Sequence, residues 1–204
     1  MCLTQDNLPL PHPEQARRLC AAGARWIQLR MKHAPRDLWT ATAREVAAIC
    51  RAGGAVCIVN DDVEIALAVG ADGVHLGSHD ADWRETRRQL GPDLILGGTV
   101  NNLADADRAS VAGVLDYAGV GPWRFTANKQ QLAPVLGPEG IRAVLARLGR
   151  LPAWAIGGIG AEDLSAVRAT GATGAAVSSA LFRDGRLEEN FRALAAAWGP
   201  PATT

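Results

Sequence analysis

The chain has few aromatic residues and no excess of either charge, and the charge balance limits the kinds of partner that it can bind. Only 5% of its 204 residues are aromatic, with a single tyrosine. Lysine plus arginine and aspartate plus glutamate each number 21, so the formal net charge is zero. No overall basic field exists to hold nucleic acid or an anionic membrane surface, and we expect neither as a partner. Any binding of phosphate groups must therefore come from a local arrangement of residues.

The sequence also lacks a long apolar run and a cysteine framework. No apolar run approaches the roughly 20 residues that a membrane-spanning helix needs. The first residues show no basic stretch followed by an apolar one, so we expect no secretory signal. The four cysteines show no Cys-x-x-Cys spacing, and three of them lie in apolar segments (Cys2, Cys20, Cys50 and Cys57 are the four). We expect buried, reduced thiols in a cytoplasmic protein rather than disulfides or zinc ligands.

Short apolar runs recur along the chain with helical stretches between them. Each run is continuously apolar, as expected for a parallel strand that is buried on both faces. Seven runs are clear, at Trp26–Leu29, Ala55–Val59, Gly73–Leu76, Leu94–Gly97, Val114–Val120, Ala153–Ile156 and Gly174–Val177, and Met1–Thr4 is a candidate eighth. Eight such units predict an α/β fold, a compact TIM (β/α)8 barrel forming a single domain over residues 1–198, with 199–204 as a frayed tail. Fewer strands would favour a doubly wound sheet.

Polar residues follow the predicted strands at the point where each strand ends. Asp61 comes after the third strand and Asp80 after the fourth. Because the C-terminal ends of barrel strands open on one face, the two carboxylates are expected to share a hard cation, and oxygen ligands suit Mg²⁺. The alternative for each aspartate is that it caps the helix that follows it, and Asp62 competes for either role.

Two small-residue pairs predict a phosphate site at the same face. Gly157-Gly158 follows the seventh strand, and Ser178-Ser179 follows the eighth. Glycine lets backbone N–H groups approach phosphate oxygens, and a helix N-terminus adds a favourable dipole. The alternative is that the glycines only turn the chain.

Three cations are candidates for holding anionic oxygens at that face. Arg30 and Lys32 follow the second strand, and Lys129 lies in the segment 122–137, which is a candidate mobile loop. An arginine can bind phosphate oxygens with two donors at once, and a lysine supplies a compact charge. Solvated surface charge is the alternative for all three. No histidine is expected to be catalytic, and His75, within a strand pattern, is expected to be a hydrogen-bonded core residue.

Six short motifs are more specific in their order and spacing than any one of them is alone. They are Gln28-Leu-Arg-Met-Lys32, Val59-Asn-Asp61, Gly73-Val-His-Leu-Gly77 with Asp80, Gly121-Pro with Thr126-Ala-Asn-Lys129, Ala155-Ile-Gly-Gly-Ile159, and Ser178-Ser-Ala-Leu181. Over nearly its whole length the chain thereby resembles the thiamine phosphate synthase family. The resemblance implies a TIM barrel and a Mg²⁺-dependent transferase of thiamine biosynthesis. Such an enzyme joins a hydroxymethylpyrimidine diphosphate to a thiazole phosphate and releases pyrophosphate.

The resemblance also implies a role for each matched residue. The pyrimidine diphosphate would be held by Gln28, Arg30, Lys32, Asn60 and Lys129, and the three cations among them would neutralise the leaving pyrophosphate. Mg²⁺ would be held by Asp61 and Asp80. The thiazole phosphate would be held by Thr126, Asn128, Gly158, Ser178 and Ser179.

The chain departs from the family pattern at two positions that bear on function. The family usually has Gly-x-Ser-x-His after the fifth strand, where this chain has Gly97-Gly-Thr-Val-Asn101. Thr99 keeps a hydroxyl and remains a substrate-binding candidate, but Asn101 replaces an imidazole. Asn128 stands where a threonine is usual. These departures leave open a non-catalytic or regulatory relative that binds thiamine intermediates. A thiazole tautomerase-like isomerase, from a sister group of the same fold, is the second alternative, but the resemblance implies a histidine near the Asn101 segment for that activity, and this chain lacks one there. Whether the chain forms a homo-oligomer is also left open.

Overall fold

The computed structural model describes residues 1–32, 34–77, 81–125 and 134–199. The strands in these ranges are β1 (Cys2–Leu3), β2 (Trp26–Leu29), β3 (Val56–Asn60), β4 (Gly73–Leu76), β5 (Ile95–Val100), β6 (Tyr117–Val120), β7 (Ala153–Ile156) and β8 (Gly174–Ala176). The helices are α1 (His12–Ala22), α2 (Arg36–Ala52), α3 (Val63–Val69), α4 (Trp83–Leu90), α5 (Leu103–Ala112), α6 (Gly137–Leu148), α7 (Leu164–Arg168) and α8 (Leu187–Trp198). Two short 3₁₀ helices, Ala161–Asp163 and Ser179–Gly185, follow β7 and β8.

The strands form one parallel sheet that closes on itself. Their order in the sheet is their order in the chain, from β1 to β8. The first and last strands meet through a parallel bridge between Cys2 and Val177, where the Leu3 N–H donates to the Val177 carbonyl at 2.8 Å. The fold is therefore a (β/α)8 barrel, as predicted, and the C-terminal ends of all strands open on one face.

Large aromatic side chains and glycines fill the barrel interior together. The rings of Trp26, Tyr117 and Trp154 lie with their centroids 5.0 to 5.6 Å apart. Glycines on neighbouring strands make room for them. A Cβ added to Gly97 would lie 2.2 Å from the Tyr117 ring, and one added to Gly174 would lie 2.8 Å from the Trp154 indole nitrogen. Three of the ten aromatic residues of this sequence thus fill the barrel interior.

The helices cover the outside of the barrel with amphipathic faces. In α2 the buried residues are Ala43, Val46, Ala47 and Cys50, which is the i, i+3, i+4, i+7 spacing of one helix face. Within the described residues, none of the helices combines the length and apolar character that crossing a membrane requires.

The strand predictions are confirmed with small shifts of their ends. Three strands have the predicted bounds, and the candidate first strand exists but is only two residues long. All four cysteines are free thiols, as expected. Cys20 is the half-buried one, and burial raises its pKa to about 11. Of the tail predicted to fray, residues 200–204 lie outside the described ranges.

A charged contact joins the first and last helices and gives a stability prediction. The Arg18 guanidinium donates two hydrogen bonds of 2.5 Å to the Glu188 carboxylate. That bonding lowers the pKa of Glu188 to about 2 from its ordinary 4.5. The pair therefore stabilises the fold above pH 4.5, and this contribution is lost as the pH falls toward 2.

We expect Glu188→Gln to lower the free energy of unfolding by about 0.5 to 1 kcal/mol at pH 7 and by less at pH 3. Urea unfolding at the two pH values measures the difference. Glu189→Gln is the matched control, because Glu189 only approaches Arg186, at 3.6 Å, with 68% of its side chain exposed. An equal loss at both pH values would show that the ion pair is not the cause.

Candidate active site

Two cations follow β2 at the C-terminal end of the barrel. Arg30 is half-buried and Lys32 is exposed. Gln28 lies deeper, within β2, where it is buried and its amide donates to the Met1 sulfur at 3.7 Å. Burial raises the pKa of Tyr117 well above its ordinary value, so the hydroxyl stays protonated. The motif on β2 thus runs from the barrel floor at Gln28 to the open face at Lys32.

The carboxylate of Asp61 pairs with Lys32 across neighbouring strand ends. The Lys32 ammonium donates to Asp61 Oδ2. Asp61 adopts a left-handed backbone with φ of +67°, a conformation that aspartate tolerates better than most residues. The next residue, Asp62, caps α3 by accepting a 2.8 Å hydrogen bond from the Ile65 N–H. The capping role is therefore filled by Asp62, and the carboxylate of Asp61 faces the cationic end of β2 instead.

A buried polar chain lies inside the barrel beneath these groups. His75 Nδ1 is 3.0 Å from the Tyr117 hydroxyl, and His75 Nε2 is 2.9 Å from Thr99 Oγ1. His75 is thus a hydrogen-bonded core residue, as expected. Asn60 is also buried and lies beside His75 in the β3–β4 register. Thr99 therefore contacts the imidazole from β5, and Asn60 lies in register with His75 on the other side of β4.

The glycine pair after β7 packs against the segment that follows β6. Gly157 and Gly158 have φ of +108° and +70°. A Cβ on Gly157 would lie 2.7 Å from Pro122, and one on Gly158 would lie 2.6 Å from Arg124 Cγ. Both the left-handed backbone and the close approach require glycine here.

The serine pair lies at the neighbouring strand end. Ser178 is half-buried and precedes the 3₁₀ helix, and Ser179 is its exposed first residue. β7 and β8 are adjacent, with Ile156 in register with Ala176. The structure thus brings the glycine and serine pairs to neighbouring ends of the same face.

The sequence interpretation missed one cation beside the glycines. Arg124 forms an ion pair with Asp163, whose side chain is only 8% exposed. Asp163 also accepts a 2.8 Å hydrogen bond from the Gly160 N–H, and the Arg124 N–H donates to the Gly157 carbonyl at 3.0 Å. The position of Arg124 could have revealed it, because it lies two residues after the Gly121-Pro122 motif, which was already assigned to the site.

Four of the predicted site residues lie outside the described ranges. They are Asp80, Thr126, Asn128 and Lys129. Apart from Thr99 on β5, the described candidates are thus divided into a β2–β3 group around Lys32 and Asp61 and a β7–β8 group around Gly158 and Ser178.

The donors of the β2–β3 group suit magnesium chemically. The described residues contain no group of three or more His, Cys, Asp or Glu side chains that could hold a metal. Mg²⁺ does not need such a cage, because it usually keeps several waters and takes one or two carboxylates plus substrate phosphates. The Asp61 carboxylate is a hard oxygen donor at the open end of a strand, which fits that mode of binding.

The fold and its polar strand ends place the protein among the (β/α)8-barrel enzymes, whose sites lie at the C-terminal face. A family model described as thiamine monophosphate synthase matches residues 2–181. The chain is 44% identical over 185 residues to thiamine-phosphate synthase of Bacteroides fragilis, covering 89% of this chain and 90% of that protein. It is 43% identical over 185 residues to the Myxococcus xanthus enzyme of the same name, covering 91% and 84%.

A solved structure agrees with these sequence relatives. Thiamine phosphate pyrophosphorylase from Pyrococcus furiosus superposes with a TM-score of 0.87 at 32% identity, covering 97% of this chain and 93% of that one. The chain belongs to the thiamine monophosphate synthase family, and it is a transferase of thiamine biosynthesis.

Proposed function

We propose that the protein joins a hydroxymethylpyrimidine diphosphate to a thiazole phosphate, forming thiamine phosphate and pyrophosphate with the help of Mg²⁺. The observation that carries this is the division of one barrel face into two groups. A group of cations with one carboxylate lies at the C-terminal ends of β2 and β3, and a group of glycines and serines lies at the C-terminal ends of β7 and β8. Two phosphorylated substrates need two such anion sites, set side by side.

The β2–β3 group would act on the diphosphate. Arg30, Lys32 and, from the loop, Lys129 would neutralise the pyrophosphate as the carbon–oxygen bond to the pyrimidine methylene breaks. Asn60 and Gln28 would orient the pyrimidine from below. Asp61 together with Asp80 would hold Mg²⁺, which supplies further charge neutralisation on the phosphate oxygens when bound.

The β7–β8 group would hold the second substrate. Backbone N–H groups at Gly158 and Ser178, with the hydroxyl of Ser179, would bind the thiazole phosphate. Thr126 and Asn128 would add contacts from the segment after β6, and Thr99 would line the pocket between the groups. The thiazole nitrogen then supplies the electron pair for the new carbon–nitrogen bond, and pyrophosphate leaves. The protein contributes positioning and electrostatic stabilisation and needs no nucleophile of its own.

The test is a single incubation with both substrates. We expect thiamine phosphate and pyrophosphate to appear in equal amounts with Mg²⁺ present, and neither product with EDTA. Pyrophosphate release without thiamine phosphate would indicate hydrolysis, and binding of both substrates without any product would favour the regulatory alternative. A thiazole carboxylate phosphate offered alone, and followed by NMR for a shifted double bond, tests the isomerase alternative.

Gly158 gives a prediction that separates ligand binding from chain turning. We expect Gly158→Ala to raise the KM for the thiazole phosphate by about tenfold, because the added methyl group would lie 2.6 Å from Arg124 Cγ and would displace backbone that must approach the anion. The KM for the pyrimidine diphosphate should change far less.

Gly171→Ala is the matched control for backbone strain. Gly171 also has a left-handed backbone, with φ of +90°, but a Cβ there would meet nothing within 4 Å. The control should lower stability without changing either KM. Equal increases in both KM values for Gly158→Ala would mean that the residue only shapes the turn.

A further inference from the structure

The backbone of the cationic segment is attached to side chains from the start of the chain. The Arg30 N–H donates to Thr4 Oγ1 at 3.1 Å, and the Lys32 N–H donates to Asp6 Oδ2 at 3.0 Å. His12 links the two acceptors, with Nδ1 2.8 Å from Thr4 Oγ1 and Nε2 3.0 Å from Asp6 Oδ1. Thr4 is fully buried, and the His12 side chain is 11% exposed. We call these three side chains, Thr4, Asp6 and His12, the β1 bracket.

The bracket replaces sheet hydrogen bonds at the point where the strands separate. The last backbone bond between the two segments runs from the Thr4 N–H to the Gln28 carbonyl at 2.9 Å. Beyond this bond, the N–H groups of Arg30 and Lys32, two and four residues after Gln28, point the same way, as alternate residues of an extended chain do. The side-chain oxygens of Thr4 and Asp6 accept the hydrogen bonds from the Arg30 and Lys32 N–H groups, which backbone carbonyls would accept within the sheet.

Hydrogen-bond chemistry fixes the direction of every bond in the bracket. An ionised carboxylate only accepts, so His12 Nε2 must carry the hydrogen donated to Asp6. In the neutral ring Nδ1 is then an acceptor, and the Thr4 hydroxyl donates to it while its oxygen accepts from the Arg30 N–H. Burial, opposed by the contact with Asp6, lowers the pKa of His12 and so favours this neutral form at pH 7.

A buried glutamine holds the loop that carries the bracket. Gln15 is fully buried, and its amide donates to the Gln5 carbonyl at 2.9 Å and to the Leu10 carbonyl at 2.7 Å. It also accepts the Gln5 N–H at 2.9 Å. The loop between β1 and α1 is therefore fixed in place, so the bracket is attached to a rigid support.

The bracket and the Asp61 carboxylate hold the cationic segment from opposite sides. Lys32 has its backbone fixed by Asp6 of the β1–α1 loop and its ammonium paired with Asp61 at the end of β3. We propose that Thr4, Asp6 and His12 are positioning residues that set where Arg30 and Lys32 present their charges to an anionic diphosphate. This inference rests on the proposed function for its ligand but not for its geometry.

The first test needs no activity. Hydrogen exchange measured by NMR reports the two bonded amides directly, and we expect Thr4→Val to speed exchange at Arg30 about tenfold. Thr4→Ser keeps the hydroxyl and should restore the slow rate. Asp6→Ala should speed exchange at Lys32 in the same way. Asp6 is the safer position, because its side chain is 25% exposed and its loss is less disruptive than a change at buried Thr4.

A matched control removes the same kind of bond at the other end of the barrel. Asp72, just before β4, accepts a 2.7 Å hydrogen bond from the Cys57 N–H. Asp72→Ala should therefore lower stability and speed exchange at Cys57, while Arg30 and Lys32 keep their slow rates.

The second test asks whether the bracket matters for an anion. We expect Asp6→Ala and Thr4→Val to weaken binding of inorganic pyrophosphate with Mg²⁺, measured by calorimetry, by about tenfold, since small misplacements of charged groups lower binding and rate steeply. The KM for the pyrimidine diphosphate should rise by a similar factor, and the KM for the thiazole phosphate should not. Thr4→Ser and Asp72→Ala should match the unaltered protein.

The outcomes separate the two proposals. Faster amide exchange with unchanged pyrophosphate affinity would overturn the positioning role and leave the bracket purely structural. Unchanged exchange in both variants would overturn the bracket itself. An unaltered protein that forms no thiamine phosphate contradicts the proposed function, while pyrophosphate affinity and exchange still decide the inference.

Discussion

Asp61→Asn is expected to lower kcat/KM by about 100-fold or more, because under the proposed function the Asp61 carboxylate is a Mg²⁺ ligand where the leaving pyrophosphate departs. The substitution keeps size and shape. Asparagine tolerates the left-handed backbone of this position, so the fold should not change. The measurement is steady-state kinetics over a range of Mg²⁺ concentrations, in which the half-activating concentration should also rise.

Asp62→Asn is the matched control for that prediction. The two residues are adjacent, and both substitutions neutralise one carboxylate. Asparagine is a good helix N-cap, so α3 keeps its capping bond to the Ile65 N–H. We expect activity within about twofold of the unaltered protein, because the loss is confined to a surface ion pair with Arg36. If the two variants lose activity equally, the assignment of the metal ligand to Asp61 is wrong.

Lys32→Gln is expected to lower kcat by about 100-fold while changing stability by less than about 1 kcal/mol. Lys32 is the exposed cation that pairs with Asp61, so it contributes little to folding but meets the leaving pyrophosphate under the proposed function. Single-turnover kinetics separates this effect on chemistry from slow product release, and thermal unfolding measures the stability.

Arg36→Gln tests whether any nearby cation has the same effect. Arg36 is also exposed and pairs with two carboxylates, Asp62 and Glu64, but it lies at the start of α2. Its loss should leave kcat unchanged within about twofold, since its charge is already matched by surface carboxylates. Near-full activity of Lys32→Gln at saturating substrate would show that Lys32 is only surface charge.

The barrel could be predicted from the sequence because parallel strands buried on both faces leave a continuous apolar run. Trp26–Leu29, Gly73–Leu76 and Ala153–Ile156 have the bounds that such runs predict. The prediction was less accurate where small or polar residues continue a strand. β5 extends to Val100 through Gly98 and Thr99, residues that face a close-packed interior and carry no apolar signal.

One apolar run predicted a strand that is longer than the observed one. Residues 114–120 were predicted as a strand, but β6 begins at Tyr117. Asp116 interrupts the apolar run: its carboxylate takes the Leu96 N–H at 2.7 Å in place of a backbone carbonyl, while its own N–H donates to the Leu96 carbonyl at 2.9 Å. Whether an aspartate ends a strand depends on a donor 20 residues away, which no local pattern contains.

The candidate site could be predicted only as far as residue types at strand ends. The motifs place Arg30, Lys32 and Asp61 on one face, because the C-terminal ends of parallel strands share a face. Local chemistry does not decide between Asp61 and Asp62 as the helix cap, since both are suitable residues at suitable positions. The left-handed turn at Asp61 decides it, and that turn depends on how the β3 backbone leaves the sheet.

The sequence by itself determined the (β/α)8 architecture and the chemical character of its C-terminal face, because periodicity and residue type are local properties. Only the tertiary structure decided which charges meet. Arg124 lies beside Gly158 and pairs with Asp163, and Lys32 lies between Asp6 and Asp61. Each of these contacts joins residues at least 26 positions apart. Such contacts are set by the register of neighbouring strands and the packing of their loops, and these depend on the whole chain closing into one barrel.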